Sequence, residues 1–595
     1  MRWRRHYSAR NSPPSCCRPA PAVIIACESD RIPTRNPPIS RGRNLRVKVS
    51  RPSPAVDAGR STGAPERGQS SAQTRPSAQT RPFAQILPRK LRLLLSFVSG
   101  VLLALAFPNF NLPLLAWIAV AVLIIASLEG GLGEAALRGL LFGVAFYLFS
   151  TPWIYTVMRQ YGPLPAWEAA GVMALMILAA SPYFVAFTLC VTWIARRDKN
   201  LALFAAPFLW TALELARSRM PDIAFPWELL GYSAAGNLAL AQLTAITGIY
   251  GLSFVVAAYN AAVVWLIGSF IGLRGQRPRR FPVAVLAAFS ALVLAAALIG
   301  PRFVPAAHAS QVAHLVQTDL PQSMEYPANW DAVHAGDMSE LDRISIAAGQ
   351  KDPGLVVWPE VPAPFSLRQT DFARRAQEIA RDSESNFLLG VVGWEPGPDG
   401  RLAAYNSAAL LDLQGREEFQ YNKIHLVPFS EYVPWRDFFW FAKNLTGLAG
   451  DFRHGTRYAV GDLPGGHFST FICYEAVFPN EVRRFVLNGA NLLINLSNDG
   501  WFGRSAAPAQ HLQMARVRAV EHRRWLLRDT NNGFTVSVDP YGRIVASLAP
   551  DIRGELDAPY AFRSDKTIYT RWGDWLPGMC VVISLALLLL AWVRR

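Results

Sequence analysis

Eight nearly continuous apolar stretches punctuate the chain, near residues 91–107, 112–128, 136–156, 167–195, 201–217, 240–272, 281–299 and 576–593. Each is close to the roughly 20 residues a helix needs to cross a hydrocarbon core, so an α-helical membrane domain of about eight helices is predicted. Pro108 and Pro113 mark the turn between the first two, because proline lacks a backbone donor and disfavours helix in the residue before it. From residue 310 the pattern changes. Short β-branched runs at 312–320, 354–358, 387–392 and 492–496, divided by Gly, Pro and Asn, predict strands. Segments 370–383 and 507–524 carry charge on one face and predict helices, giving an alternating α/β domain of about 260 residues. The predicted organisation is a basic extension over 1–90, seven membrane helices over 91–302, the α/β domain over 303–575 and a last membrane helix over 576–595.

Composition agrees with this division. With 595 residues, 51% hydrophobic and only 17% charged, the chain is too apolar for an average soluble protein and too long for one domain. The net charge of +16 sits mostly in residues 1–90, which hold 18 Lys/Arg against 4 Asp/Glu and repeat Ser-Ala-Gln-Thr-Arg-Pro at 71–76 and 77–82. Such a Pro-, Ser-, Arg- and Gly-rich segment is expected to be disordered. Attraction to anionic lipid headgroups needs only its charge. Nucleic-acid binding would want interleaved aromatics and is not expected. Positive residues in short loops set orientation: Arg138, Arg196, Arg197, Lys199, Arg274, Arg277, Arg279 and Arg280 against Arg159, Arg217 and Arg219 on the alternate side. The first set, with Arg89, Lys90, Arg92, Arg594 and Arg595, is predicted to be cytoplasmic, which puts 303–575 outside the cytoplasm.

Simple anchorage accounts for most helix residues. The loop 224–232 differs, because it presents Trp227, Glu228 and Tyr232 toward the α/β domain; interfacial anchoring and lipid binding both fit.

Of six cysteines, Cys16, Cys17 and Cys27 are in the tail, Cys190 and Cys580 in predicted helices, and Cys473 stands alone in the α/β domain. A lone thiol is commonly a small buried hydrophobe. Its context favours more: an apolar strand over 468–472 ends at Cys473, flanked by Tyr474 and Glu475, where strand-end side chains emerge. A second apolar strand ends at Trp358-Pro359-Glu360, whose carboxylate is suited to take a proton. A third segment, 421–434, sets Lys423, His425 and Glu431 among aromatics and prolines. A thiol nucleophile needs a base, and a nearby ammonium both lowers its pKa and stabilises an oxyanion. The one Gly-x-Ser-x-Gly match, 59–63, lies in the tail without a preceding strand. His425, His454, His467, His511 and His522 lack metal-ligand spacing, and no phosphate-binding glycine loop is present, so neither metal nor cofactor is expected.

At Trp358-Pro359-Glu360, at Asn422-Lys423-x-His425 running through Glu431 to Pro434, at Cys473-Tyr474-Glu475, at Asn495 to Gly503 and at Gln510-His511 to Arg516, the sequence resembles the nitrilase superfamily. With its membrane spans it is similar to the apolipoprotein N-acyltransferase branch over about residues 91–593. The resemblance implies a nitrilase-like α-β-β-α sandwich on eight membrane helices in the bacterial inner membrane, as a monomer. It implies a Glu360, Lys423, Cys473 triad that takes an acyl chain from a phospholipid donor as a thioester and passes it to a diacylglyceryl apolipoprotein acceptor. It further implies that Glu431 orients Lys423, Glu475 supports the site, and Trp227 with Tyr474 holds lipid. For Glu431, Glu475 and Asn406, bracing a loop is the alternative. Ser430 stands where the family has glycine. Two other functions remain compatible with the residues: a membrane-tethered amidase, and a silent lipoprotein-binding scaffold.

Overall fold

A computed structural model describes residues 87–162, 164–222, 224–270, 280–322, 329–363, 365–397, 400–432 and 452–594. The expectations for the basic tail and its repeat, for the 59–63 glycine motif, for Arg274, Arg277 and Arg279, and for Val433 and Pro434 lie outside them.

Apolar helices form where the hydrophobic stretches predict them: Arg89–Ala104, Ala116–Ser127, Leu132–Ser150, Ala166–Ala180 with Pro182–Ala195, Lys199–Arg219, Ile249–Phe270, Arg280–Leu298 and Trp575–Val593. Five of the described helical segments meet length and hydropathy criteria for crossing a membrane, counting 166–195 as one. Three predicted stretches are broken by local chemistry. The third stops at Ser150, since Thr151 folds its hydroxyl back onto the Tyr147 carbonyl at 2.8 Å and Pro152 has no donor, and Trp153–Gln160 becomes a separate helix. Pro182 divides the fourth at Ser181. In the sixth, short turns at Leu238–Ala241 and Thr244–Thr247 precede Gly248, whose φ of +66 only glycine adopts freely and whose absent side chain leaves room for the Tyr569 ring.

Two charges counted as loop residues are helical and buried. Arg138, fully buried, turns back to cap the preceding helix through the carbonyls of Ala126 and, at 2.7 Å, Glu129. Arg217 is buried against the Tyr147 hydroxyl at 2.7 Å. Satisfying terminal carbonyls and a buried phenol is what draws them inward.

The α/β domain contains β1 (Gln311–Gln317), β2 (Leu355–Val357), β3 (Asn386–Pro396), β4 (Leu402–Leu411), β5 (Glu417–Asn422), β6 (Gly461–Leu463), β7 (Gly466–Ile472), β8 (Leu492–Ser497), β9 (Trp525–Thr530), β10 (Thr535–Val538), β11 (Ile544–Leu548) and β12 (Gly554–Tyr560). They make two six-stranded sheets, ordered β12-β1-β2-β3-β4-β5 and β11-β10-β9-β8-β7-β6. Period-two alternation sorts the first sheet's side chains. Leu315, Val357, Leu388 and Leu410 join the core shared with the second sheet, whereas Val316, Val356, Phe387 and Leu411 pack against helices Ala335–Lys351 and Thr370–Asp382. Helices Pro479–Leu487 and Ala507–His522 cover the second sheet, completing an α-β-β-α sandwich. In each sheet the parallel strands, β1-β2-β3 and β7-β8-β9, bring their C-terminal ends to one edge. That edge meets the membrane helices: Tyr474, Val477 and Phe478 share one apolar cluster with Trp153, Leu209 and Trp227.

Candidate active site

Three strand ends deliver the predicted triad. Beyond β2, the Trp358 amide makes a last bond to the Leu388 carbonyl at 2.8 Å; Pro359 then ends the ladder and Glu360 turns inward. Gly390 of β3 makes this possible, because a Cβ there would lie 2.3 Å from the Pro359 carbonyl oxygen and 2.7 Å from Glu360 Cα. Lys423 follows β5, its amide donating to Asn406 O at 2.8 Å. Cys473 follows β7 with φ of +49, a left-handed conformation that costs a non-glycine residue about 1–3 kcal/mol and is found where surrounding structure enforces it.

All three are buried, with Glu360 6%, Lys423 1% and Cys473 7% exposed. Lys423 Nζ donates to Glu360 Oε1 at 3.1 Å and lies 3.0 Å from Glu431 Oε2. Asn406 Nδ2 bridges the same two carboxylates at 2.8 and 2.7 Å, so Asn406 does more than brace a turn. The other oxygen of Glu360 accepts from the Asn498 amide at 2.9 Å, and that of Glu431 from the Val427 amide at 2.7 Å. Glu475 accepts four bonds: from the Tyr421 hydroxyl and the Ile424 amide at 2.7 Å each, from the His425 amide at 3.0 Å and from the Ile472 amide at 2.7 Å. It thereby ties the Lys423 loop to the Cys473 turn.

Electrostatics assigns these groups different states. Burial pushes the Cys473 thiol well above its ordinary pKa, the Glu360 carboxylate adds to the rise and Lys423 only partly opposes it, so the resting sulfur is protonated. For Lys423, burial alone would favour the neutral amine, but Glu360 and Glu431 outweigh it and hold the pKa above its usual value. Burial, helped by His454 and Lys423, pushes His425 down to about 4, making it a weak base. Burial raises Glu475 to about 7 against its hydrogen bonds.

Helix Ala507–His522 supplies two further contacts. His511 Nε2 lies 3.0 Å from the Cys473 carbonyl and its Nδ1 3.1 Å from Arg528 Nη2, which also donates to Asp499 at 2.8 Å. Burial first, then Arg528, lowers the His511 pKa, and Asp499 Oδ1, 3.2 Å from Nδ1, opposes them; Cys473 O can only accept, so the contact at Nε2 is an N–H donating to it. Gln510, fully buried, uses its whole amide. Its Oε1 accepts from Trp227 Nε1 at 2.8 Å and Trp153 Nε1 at 3.1 Å, while Nε2 donates to the carbonyls of Pro108 at 2.7 Å and Ser150 at 2.9 Å. The Trp227 ring thus lies against Tyr474, centroids 6.4 Å apart and planes within 22°, and the Tyr474 hydroxyl donates to Ala224 O at 3.0 Å. Every predicted site residue therefore falls in one connected region. Asn498, Gln510 and His511 lay inside the recognised motifs without an assigned role. For Asn406 the sequence offers the bracing of a turn, and its bridge between the two carboxylates has no signal there.

Among the described residues, one grouping has metal-like spacing, His314 with Glu555 and Asp557. Lys351 bonds to Asp557, and Asp352 O lies 2.8 Å from His314 Nε2, so the grouping is an internally satisfied ion-pair cluster.

Residues 99–262 match the family described as apolipoprotein N-acyltransferase N-terminal domain, and residues 292–558 match carbon-nitrogen hydrolase. An apolipoprotein N-acyltransferase of Geobacter metallireducens is 33% identical over 508 residues, covering 84% of this chain and 95% of that protein. The chain belongs to the apolipoprotein N-acyltransferase family. A second such acyltransferase, from Pseudomonas syringae pv. tomato, is 32% identical over 82% of this chain and 95% of its own length. A nitrilase-superfamily amidase from Nesterenkonia AN1 is 22% identical, with a TM-score of 0.32, over 43% of this chain and 93% of its own. As a member of the acyltransferase family the chain is an enzyme, and its apolar helices make it a membrane protein.

Proposed function

We propose that this enzyme moves a fatty acyl group from the sn-1 position of a phospholipid, through a thioester on Cys473, to the α-amino group of an apolipoprotein's N-terminal diacylglyceryl-cysteine. The observation carrying this reading is a buried ammonium, Lys423, shared by Glu360 and Glu431 beside a thiol that burial keeps protonated. Glu360 takes the Cys473 proton as sulfur attacks the ester carbonyl, and its own charge is thereby neutralised. Lys423, relieved of one carboxylate, stabilises the tetrahedral oxyanion. The ester C–O bond breaks, and Glu360 returns the proton to the departing lysophospholipid oxygen. In the second half the neutral amine attacks the thioester, Glu360 takes its proton, the C–S bond breaks and the thiol is restored. Glu431 holds Lys423, Glu475 ties the two loops together, and Trp227 with Tyr474 forms a wall for lipid.

Residues 91–302 and 576–595 act in this reading as the membrane part, and 303–575 as a catalytic domain on the outer face of the bacterial inner membrane. Arg196, Arg197 and Lys199, at the opposite end of helix Lys199–Arg219 from the catalytic edge, support that orientation. Placing the site against the bilayer fits the substrates, since extracting acyl chains into water costs about 0.8 kcal/mol per methylene.

The test is the intact mass of purified enzyme after incubation with phospholipid. A gain of one acyl chain, removed by hydroxylamine and missing in Cys473→Ala and Glu360→Gln, is expected. Folded, lipid-binding wild type without any adduct would reject the thioester pathway.

A further inference from the structure

Strand β3 runs far past the end of its neighbour. Val357, the last residue of β2, pairs with Leu388, yet β3 continues to Pro396, which pairs with Leu402 of the returning β4. At about 3.3 Å per residue, the hairpin extends roughly 26 Å beyond β2, whereas Glu360, three residues past the same point, reaches at most about 10 Å. Because β3 is parallel to β2, the overshoot lies on the edge where Tyr474 and Phe478 join the apolar cluster of the membrane helices.

Register sorts the protruding part into two faces. Glu395, on one, is held by Gln420 at 3.1 Å and Asn422 at 2.8 Å of β5. Val392, Trp394, Pro396, Leu402 and Ala404 lie on the other, which is also the face of Asn406 and so runs outward from the Glu360–Lys423 cluster. On it Trp394 is 43% and Leu402 55% exposed. A tryptophan, a proline and a leucine presented together on the edge that meets the apolar helices match the composition of a membrane interface.

We propose that the β3–β4 hairpin dips its Trp394–Leu402 face into the headgroup–acyl boundary of the bilayer beside the mouth of the active site, its partner being the lipid surface. The inference rests on the chain being embedded in a membrane and does not depend on the acyl-transfer reaction. For the test, full-length protein with Cys16, Cys17 and Cys27 changed to Ser and Cys473 to Ala is placed in phospholipid nanodiscs and spin-labelled at Leu402→Cys. Ser339→Cys, exposed on helix Ala335–Lys351, serves as the aqueous control. The parent without an added cysteine supplies the background from Cys190 and Cys580. The ratio of collisions with oxygen to those with a water-soluble nickel chelate should be several-fold higher at 402 than at 339; equal ratios overturn the proposal.

A second measurement uses Trp394→Asp with Leu402→Asp in otherwise wild-type enzyme. Thioester formation from nanodisc phospholipid should slow about tenfold, and that from a monomeric short-chain phospholipid less than about twofold. Equal slowing with both donors counts against the hairpin as a lipid contact. Absence of any thioester in wild type would sink the reaction pathway instead, leaving the collision ratio to decide the hairpin.

Discussion

Replacing Gln510 with alanine strips partners from four buried groups at once, the indole N–H groups of Trp153 and Trp227 and the carbonyls of Pro108 and Ser150. An unsatisfied buried polar group costs about 1–3 kcal/mol, which gives a gross loss of about 4–12 kcal/mol. Four polar atoms border the vacated space, and a water there could bond two to four of them, leaving a net destabilisation of about 2–4 kcal/mol. The functional consequence falls on Trp227, whose ring is fixed over Tyr474 by one bond to that amide. If this placement holds lipid near Cys473, KM for phospholipid should rise about tenfold or more in single-turnover thioester assays, with a smaller change in the limiting rate. Gln510→Glu keeps an acceptor for both indoles but sets a carboxylate against two carbonyls. It should match the alanine variant's loss of stability while staying closer to wild type in KM. Gln510→Ala with KM and thioester rate within about twofold of wild type, in a correctly folded fraction, would refute the positioning argument.

Lys423→Met leaves Glu360 and Glu431 buried without their common cation, a change of the kind that costs about 3–5 kcal/mol, and should abolish thioester formation while lowering the melting temperature. Lys423→Arg should not restore activity, since a planar guanidinium cannot take the place of a compact ammonium between two carboxylates. Gly390→Ala drives a methyl group into Pro359 and Glu360; a stability loss of about 1–3 kcal/mol with a larger proportional loss of activity is expected, and unchanged kinetics would show that Glu360 tolerates displacement. Glu475 titrates at about 7, raised by burial, so thioester formation should fall as pH drops through that value and one of its four hydrogen-bond donors loses its partner. Because the pKa is raised, protonation stabilises the fold: that contribution is complete below about 4.5 and is lost as pH rises to about 7. Thermal melts at pH 5.5 should therefore show no loss of stability from this group, and Glu475→Gln should remove the acidic limb of the activity profile.

How much could be read from sequence differed by the kind of interaction. Strand ends at Glu360 and Cys473 were legible because apolar runs stop there, one at a carboxylate after a proline and the other at a lone cysteine flanked by Tyr474 and Glu475. The membrane stretches were legible from length and hydropathy, but their internal breaks were not. Thr151 interrupts a helix by bonding to its own backbone, and Arg138 and Arg217 leave the loops they were counted in to satisfy buried acceptors; these depend on which partners lie nearby. The bridging role of Asn406 was hidden for the same reason. Its place in β4 is 46 residues from Glu360 and 25 from Glu431, and only the pairing of β4 with β3 and β5 brings its amide to both.

Consecutive residues on a helix point about 100° apart, and the helix over Ala507–His522 uses that angle to serve two masters. Gln510 faces the membrane helices and holds Trp227, Trp153 and two backbone carbonyls; His511 faces the catalytic turn and holds the carbonyl of Cys473. Neither residue has slack, since the Gln510 amide uses all four of its bonds and the His511 ring is held between the Cys473 carbonyl and the Asp499–Arg528 pair. A shift in the ends of the membrane helices would therefore move the Trp227 ring over Tyr474 and press on the turn that presents Cys473, the proposed nucleophile. Anchorage alone would not require such coupling. An α/β domain cut from its helices would keep Glu360, Lys423 and Cys473 but lose Trp227 and the Ala224 carbonyl that receives the Tyr474 hydroxyl, so in the proposed reaction the membrane helices complete the active site as well as carrying it.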